Sequence, residues 1–247
     1  MSALIDPSQP IMPPPMNEAE EAFTSLISAR RAGLNFKDEA RYFTEQWMRH
    51  ARAGMMSVVP LTEVHAEFLK AAQLGLSYAP EKMQAFCIAN FDIDTGFHRP
   101  VFYLGYKGMY QLIAQDRNIA YTHTEIIFEN DTFQDNGPAA VPDHKRVINP
   151  NKRGGIIGGY AYSVLIAGGH TICTTVDSDV MQEIEGNAIA NGSQAWNSPF
   201  VNEMRRKTIT RRHFDDLLPV LNLNVELEPS NIHAENSFEA EYARHGK

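Results

Sequence analysis

The chain has 247 residues, of which 43% are hydrophobic and 21% charged, so it has enough apolar content for a core and is not a wholly disordered protein. Its formal net charge of −8 argues against a general nucleic-acid-coating protein, and any anion binding therefore requires a local basic patch. Two cysteines exclude a disulfide framework and a four-cysteine zinc site. Both are predicted to be free, buried thiols in a reducing cytosol.

The predicted elements begin after a Pro-rich stretch. Residues 1–16 carry five prolines and no basic segment, so we expect a flexible N-terminus without a secretory signal. Hydrophobic periodicity then predicts three helices, the second closed by Gly54 and the third by Gly75. These helices cover about residues 17–31, 36–51 and 61–74.

From residue 84 the hydrophobic period shortens to that of β-strands. Strands are predicted over about residues 84–91, 97–104 and 119–129, with a short helix over 108–115. Residues 130–155 form a long irregular loop, which is unusual in a compact domain unless it has a function.

Residues 154–176 form a stretch of 23 residues without a Lys, Arg, Asp or Glu, which is long enough to span a bilayer. Six glycines and several hydroxyl side chains instead favour two strands that turn at Gly168-Gly169.

The end of the chain is predicted to be helical and then acidic. One helix starts near Ser178, and a last helix starts at Ser198-Pro199, with Ser198 as its N-cap, and ends before Pro219. Residues 220–247 hold five glutamates and predict an acidic tail. The order of helices, strand meander and helices predicts an α+β fold with one core domain over residues 17–219.

Two basic clusters are the strongest functional signal. One lies in the long loop, and the other lies on the last helix, where five of eight residues are basic and border an apolar sector that starts at Phe200. This density favours binding of a polyanion over a solvated helix whose arginines pair with nearby acids. The clusters comprise His144, Lys145, Arg146, Lys152 and Arg153 in the loop, and Arg205, Arg206, Lys207, Arg211 and Arg212 on the helix.

Aromatic side chains close to basic residues can stack on unpaired bases of any sequence. The candidates are Phe102, Tyr103, Tyr106 and Tyr110 around Lys107, followed by Tyr160, Tyr162 and Trp196. Core packing is the alternative role, and we expect at least half of the aromatic residues in this part of the chain to be buried.

Motifs for bond chemistry are missing from the sequence. It holds no Gly-x-x-x-x-Gly-Lys-Ser/Thr loop, so ATP hydrolysis is not expected. No pair of histidines has zinc-ligand spacing beside a cysteine, so a zinc site is not expected either. Carboxylates including Asp92, Glu129 and Asp131 could gather around a divalent cation in a metal-dependent nuclease, although turn chemistry alone explains these acids. A further alternative is a structural phage protein whose basic patch meets acidic protein surfaces.

A series of short motifs resembles the RecT family of phage recombinases, in the family's order and over about residues 60–220. The motifs are AAQLGL at 71–76, LGYKG at 104–108, FENDTF at 128–133, His144, Arg153-Gly154, GYA at 159–161, Trp196, EMRRKT at 203–208 and Leu218-Pro219.

The resemblance implies an ATP-independent single-strand annealing protein, related in function to the Red-beta proteins, that makes and breaks no bond and is therefore not an enzyme. It implies a fold similar to that of the eukaryotic annealing recombinases, a strand meander with a long helix. It also implies homo-oligomeric rings or helical filaments that act in DNA recombination and repair in the cytoplasm of a bacterial host. No cofactor is required, although Mg²⁺ can assist annealing. The expected partners are single-stranded DNA, the annealed duplex intermediate, a 5′-to-3′ exonuclease and the host single-strand binding protein, without a membrane.

Overall fold

The computed structural model describes residues 12–30, 33–54, 59–94, 96–190, 195–197, 199–223, 225 and 227. Helices in the N- and C-terminal parts and antiparallel strands between them confirm the α+β fold. Two compact units divide the chain, one built mainly from the residues up to Gly108 and the other mainly from Met109 to Asn222. The single core domain over residues 17–219 stays a prediction, and residues 1–11 and most of the acidic tail lie outside the described residues.

The described residues form six α-helices and seven strands. A short 3₁₀ helix precedes α1, and α4 contains the division between the units. The bounds are α1 Glu20–Arg30, α2 Phe36–Arg52, α3 Leu61–Leu74, β1 Ala85–Asp92, β2 Phe97–Leu104, α4 Tyr106–Gln115, β3 Ile119–Phe128, β4 Thr132–Gln134, β5 Asp143–Lys145, β6 Ile156–Leu165, β7 Thr171–Asp177, α5 Ser178–Ala190 and α6 Val201–Leu217.

The first unit packs its helices beside an antiparallel hairpin of β1 and β2. The Asn35 side chain caps α2 by accepting the Asp38 N–H, and α3 ends at Gly75, whose φ of 72° favours glycine. Aromatic rings fill the core, with Phe68 5.4 Å from Phe43 between ring centroids. This unit therefore follows the predicted elements closely.

The second unit is a three-stranded antiparallel sheet in the order β3-β6-β7, with α5 and α6 packed on one face. Ile126 and Ala161 from the sheet pack against Met181 of α5 and Ile209 of α6. A Cβ at Gly159 would meet the Ile209 and Met181 side chains, so this glycine permits the close approach of β6 to the helices.

Hydrogen bonds also fix α6 against the sheet. His213 is fully buried, with Nε2 2.7 Å from Ser163 Oγ and Nδ1 2.9 Å from Thr174 Oγ1. Burial lowers the pKa of His213 to about 4, so its ring is neutral near pH 7. The side chains of the basic residues on α6 therefore project from a helix whose backbone is held in place.

The long loop is more ordered than predicted. Within residues 130–155, β4 pairs with β5, and a short 3₁₀ helix covers Pro150–Lys152. The hairpin places Phe133 and His144 against Tyr160, on the sheet face opposite the helices. Strands of three residues are too short to give a periodic pattern in the sequence, which explains why they were not predicted.

The predicted start of the last helix is wrong by two to three residues. The helix begins at Val201, and its N-cap is Phe200, which makes no side-chain capping hydrogen bond. Pro199 and Phe200 form a turn, and the Phe200 ring is 70% exposed instead of lying in the buried sector. The predicted N-cap, Ser198, lies outside the described residues.

Residues 154–176 supply β6 and β7, as predicted. Among the described residues, no helix combines the length and the apolar character needed to cross a membrane. Cys87 and Cys173 are both free and buried, which confirms the expectation from the sequence.

Candidate nucleic-acid interface

The two basic clusters meet at one buried carboxylate of the second unit. Arg146, which follows β5, donates from Nη1 to Glu125 Oε2 at 2.8 Å. Arg206 of α6 approaches the other oxygen, with 3.7 Å between Nη2 and Oε1. The fold therefore brings together charges that lie sixty residues apart in the sequence.

A basic groove runs beside this meeting point. Two depressions of about 400 and 500 Å³ share Phe128 and Asn202 in their walls. Arg146 and Arg153 line the first depression, and Arg205 lines the second. We call these two depressions the basic groove. Of its three arginines, Arg146 is the one whose side chain is mostly exposed and can meet a phosphate, because Arg153 and Arg205 are paired with carboxylates.

Arg153 is held in place by contacts within the protein. Its guanidinium lies 3.9 Å from the centroid of the Phe128 ring and forms an ion pair with Asp131. Only 13% of the Arg153 side chain is exposed. Arg153 belongs to the predicted loop cluster, but its guanidinium is stacked and paired within the protein and is not an open charge.

Asp131 organises the loop around it. Its oxygens accept the backbone N–H groups of Phe128 at 3.2 Å and Val147 at 2.8 Å, and lie 3.1 Å from His144 Nε2. Burial alone would raise the pKa of Asp131, but the bonds from Arg153, Val147 and His144 outweigh it and hold the pKa well below its usual range. Asp131 is therefore a structural anion.

The segment before β6 is bound to the end of β3. The Asn130 side chain donates to the Lys152 carbonyl at 2.9 Å, and the Gly155 N–H donates to Glu129 at 2.9 Å. The Lys152 side chain remains exposed. Lys152 thus presents its charge from a fixed backbone and not from a mobile loop.

The basic residues of α6 differ from one another in their surroundings. Arg205 pairs with Glu185 at 2.9 Å and is half-buried, and Arg206 also bonds Glu203. Arg211 is buried, which corrects its predicted place at the border of the apolar sector. Lys207 is half-buried and Arg212 is exposed.

The remaining candidates are spread over both units. Lys145 is exposed, whereas Tyr160 and Trp196 are buried and present no ring face to a base, because both pack in the interior. In the first unit, Lys107 is exposed and Tyr106 is half-buried at the start of α4.

Three aromatic side chains lie together on the sheet face opposite α5 and α6, and of these only Tyr162 was a sequence candidate. Tyr121 and His123 of β3 lie beside Tyr162 of β6, with ring centroids 5.8 to 6.3 Å apart. The alternation of Tyr121 and His123 with threonines along β3 is visible in the sequence, and it was the signal that could have identified these two residues.

The carboxylates considered for a nuclease have structural partners. Asp92 pairs with Arg99 at 3.1 Å and accepts the Asp94 N–H at 3.0 Å, as expected for a turn residue. Glu129 and Asp131 hold the loop as described above. Among the described residues, no group of three or more His, Cys, Asp or Glu side chains could hold a metal ion.

Comparison with known proteins agrees with the motifs found in the sequence. The profile of the RecT family matches residues 57–241, which is most of the chain. A search of curated proteins gives no match. The chain therefore belongs to the RecT family, and this membership implies phage-type single-strand annealing in recombination.

Proposed function

We propose that this protein binds single-stranded DNA along the basic groove and anneals complementary strands without ATP. The observation that carries the proposal is the convergence of Arg146 and Arg206 on Glu125 beside a groove lined by further arginines. Two separate segments of the chain supply these charges. A rigid site of this kind is suited to a repeating anion such as the phosphate backbone.

Annealing places two physical requirements on the complex of protein and DNA. The charges on two phosphate backbones must be neutralised, and the base edges must stay available for pairing. Arginines and lysines directed at the backbone meet both requirements, because such contacts carry no sequence information. Pairing and stacking of complementary strands release free energy, so the reaction needs no nucleotide hydrolysis. No cofactor is required in this proposal, and Mg²⁺ assists by screening phosphate charge.

The remaining contact candidates fall into two groups. Lys145, Lys152, Arg212 and Lys107 have exposed side chains and are proposed as direct phosphate contacts. Supporting roles are proposed for residues that are packed or paired: Tyr106, His144, Arg153, Tyr160, Trp196, Arg205, Lys207 and Arg211.

The working form is proposed to be a homo-oligomer, as a ring or a helical filament. One subunit offers few phosphate contacts, whereas annealing must hold tens of nucleotides in register. Once one subunit is bound, the next subunit meets the same strand at a high effective concentration. Sites that are weak individually therefore give a tight complex together. Sedimentation with a long single strand should show large assemblies, and a strict one-to-one complex would contradict this part of the proposal.

The biological setting is proposed from the family. A 5′-to-3′ exonuclease would supply the single strands, and the host single-strand binding protein would present them, in the cytoplasm of a bacterial host. The single strands would be converted to the annealed duplex intermediate during recombination and repair. Co-purification with these two partners from a cell that expresses all three proteins tests this setting.

The decisive experiment follows the pairing of two complementary oligonucleotides without ATP. The protein should accelerate pairing, and Arg146→Ala with Lys152→Ala should reduce the acceleration at least tenfold. Arg52→Ala is the matched control, because Arg52 is exposed at the last residue of α2 in the first unit and has no proposed contact with DNA. Pairing at the spontaneous rate would reject annealing, and metal-dependent shortening of the oligonucleotides would select the nuclease alternative.

A further inference from the structure

The sheet face opposite α5 and α6 carries an aromatic row made of Tyr121, His123 and Tyr162. Tyr121 and His123 alternate on β3, so their side chains share one face, and His123 is the register partner of Tyr162. The Tyr121 and His123 rings are nearly parallel, with 9° between their planes and 6.3 Å between their centroids. Tyr162 lies 5.9 Å from Tyr121.

The row is open to solvent at Tyr121, whereas Tyr160, the ring next to Tyr162, is covered. The β4–β5 hairpin covers Tyr160 with the rings of Phe133 and His144, each 5.5 Å away. At the open end, Tyr121 is 53% exposed, and His123 and Tyr162 are half-buried. The open rings are therefore held by their neighbours and still present surface to a ligand.

The aromatic row is linked to Arg146 of the basic groove through two buried residues, Tyr160 and Glu125. Tyr162 stacks on Tyr160 with 11° between the rings, and Tyr160 is the register partner of Glu125. Glu125 in turn binds Arg146, whose side chain is 59% exposed. A ligand that spans both features must combine a flat ring with an anion, and a nucleotide has both.

We propose that the aromatic row is a stacking platform for unpaired bases of single-stranded DNA whose backbone lies at Arg146. This inference rests on the proposed function and adds a base-contacting surface to it. Tyrosine and histidine rings contact the face of a base and are tolerant of sequence. Because they leave the Watson–Crick edge open, a base held on the row can still pair with a second strand.

The neighbouring strand suits this ligand better than an aliphatic protein surface. On the same face, β7 places Thr171 and Thr175 beside Val164 and Tyr160 of β6. Hydroxyl groups at the margin of the row can bond the polar edge or the sugar of a nucleotide. An aliphatic partner would leave these hydroxyls without hydrogen bonds.

The test compares two ligands of equal length, a thymidine oligonucleotide and an abasic oligonucleotide with the same phosphate backbone. The wild-type protein should bind the thymidine oligonucleotide at least about tenfold more tightly. A tenfold preference corresponds to about 1.4 kcal/mol, which lies within the range for stacking one base on an aromatic side chain. Tyr121→Ala with His123→Ala should bind both ligands with nearly equal affinity.

Four further variants separate stacking from loss of fold and from loss of charge. Tyr121→Phe keeps the ring and should keep the preference, whereas Tyr121→Leu keeps apolar packing without a ring and should reduce it. Phe91→Ala removes a ring that is 52% exposed in the other unit and should leave the preference unchanged. Arg146→Ala should weaken the binding of both ligands by the same factor.

The possible results have distinct meanings. An undiminished preference in Tyr121→Leu and in the double variant would overturn the platform and leave the proposed function standing. Failure of the wild-type protein to bind either ligand would instead reject the proposed function. Circular dichroism of every variant shows whether the double variant is folded, and if it is not, Tyr121→Leu alone decides.

Discussion

Two carboxylate–arginine pairs lie close together in the second unit, and they differ in exposure. Asp131 and Arg153 form one pair, in which the carboxylate is fully buried and 13% of the arginine side chain is exposed. Glu125 and Arg146 form the other, in which the carboxylate is also buried but 59% of the arginine side chain is exposed. The two arginines are seven residues apart in the same loop.

The difference separates a structural charge from a contact charge. Arg153 donates to Asp131, stacks on Phe128 and has little surface left for a ligand. Arg146 donates to Glu125 from one nitrogen and leaves most of its side chain in solvent. A count of basic residues treats the two alike, and only the packing of their surroundings distinguishes them.

The largest expected effect is on stability, from Arg153→Ala. Removing one partner of a buried ion pair leaves an uncompensated charge, and this loss costs about 3–5 kcal/mol in the free energy of unfolding. Urea denaturation should show this decrease. Lys152→Ala is the neighbouring control and should change the free energy by less than about 0.5 kcal/mol, because its side chain is exposed. Equal effects of the two substitutions would remove the distinction between the pairs.

Asp131→Asn should change how stability depends on pH. The pKa of Asp131 is lower in the folded state than its unfolded value of about 3.9. The carboxylate therefore stabilises the protein fully above about pH 4, and this stabilisation is lost as the pH falls toward the folded pKa. The melting temperature of Asp131→Asn should lie below that of the wild type at pH 7, and the gap should narrow toward pH 3. A constant gap would mean that the charge is not the cause.

Arg146→Ala should affect DNA binding and leave stability nearly unchanged. Loss of one phosphate contact should reduce the slope of log affinity against log salt concentration by about 0.7 for each subunit bound. The free energy of unfolding should change by less than about 1 kcal/mol, because Arg146 is largely exposed and Arg206 still lies beside the buried Glu125 carboxylate. Fluorescence anisotropy over a series of salt concentrations measures the slope. An unchanged slope would mean that Arg146 does not contact the phosphate backbone of the DNA.

Much of the fold could be predicted because long periodic segments dominate it. The helix α2 has an apolar stripe and α3 ends at a glycine, so their bounds follow from local chemistry. The strands β4 and β5 could not be predicted, since three residues carry no period and their pairing depends on packing against Tyr160. The start of α6 depends on the turn at Pro199 and Phe200, which capping preferences do not anticipate.

The candidate site could be predicted only in part from the sequence. Both basic clusters could be recognised by their density, but not the buried carboxylate Glu125 that joins Arg146 to Arg206. That contact links residues far apart in the chain, and no local pattern encodes it. Likewise, the stacking of Arg153 on Phe128 and the burial of Arg211 depend on tertiary packing. Sequence alone therefore locates the charge of this surface, and the fold decides which charges face a ligand.

The smallest expected effect is that of Glu125→Gln, and its direction tests the comparison most directly. Glutamine has nearly the shape of glutamate and can still accept a hydrogen bond from Arg146, but it removes the negative charge shared by Arg146 and Arg206. If Arg146 is a contact charge, the groove becomes more positive, and affinity for single-stranded DNA should rise about two- to threefold at low salt. This gain should shrink as added salt screens the field. A decrease in affinity would mean that Glu125 mainly positions Arg146, and the pair would then resemble Asp131 and Arg153 in being structural.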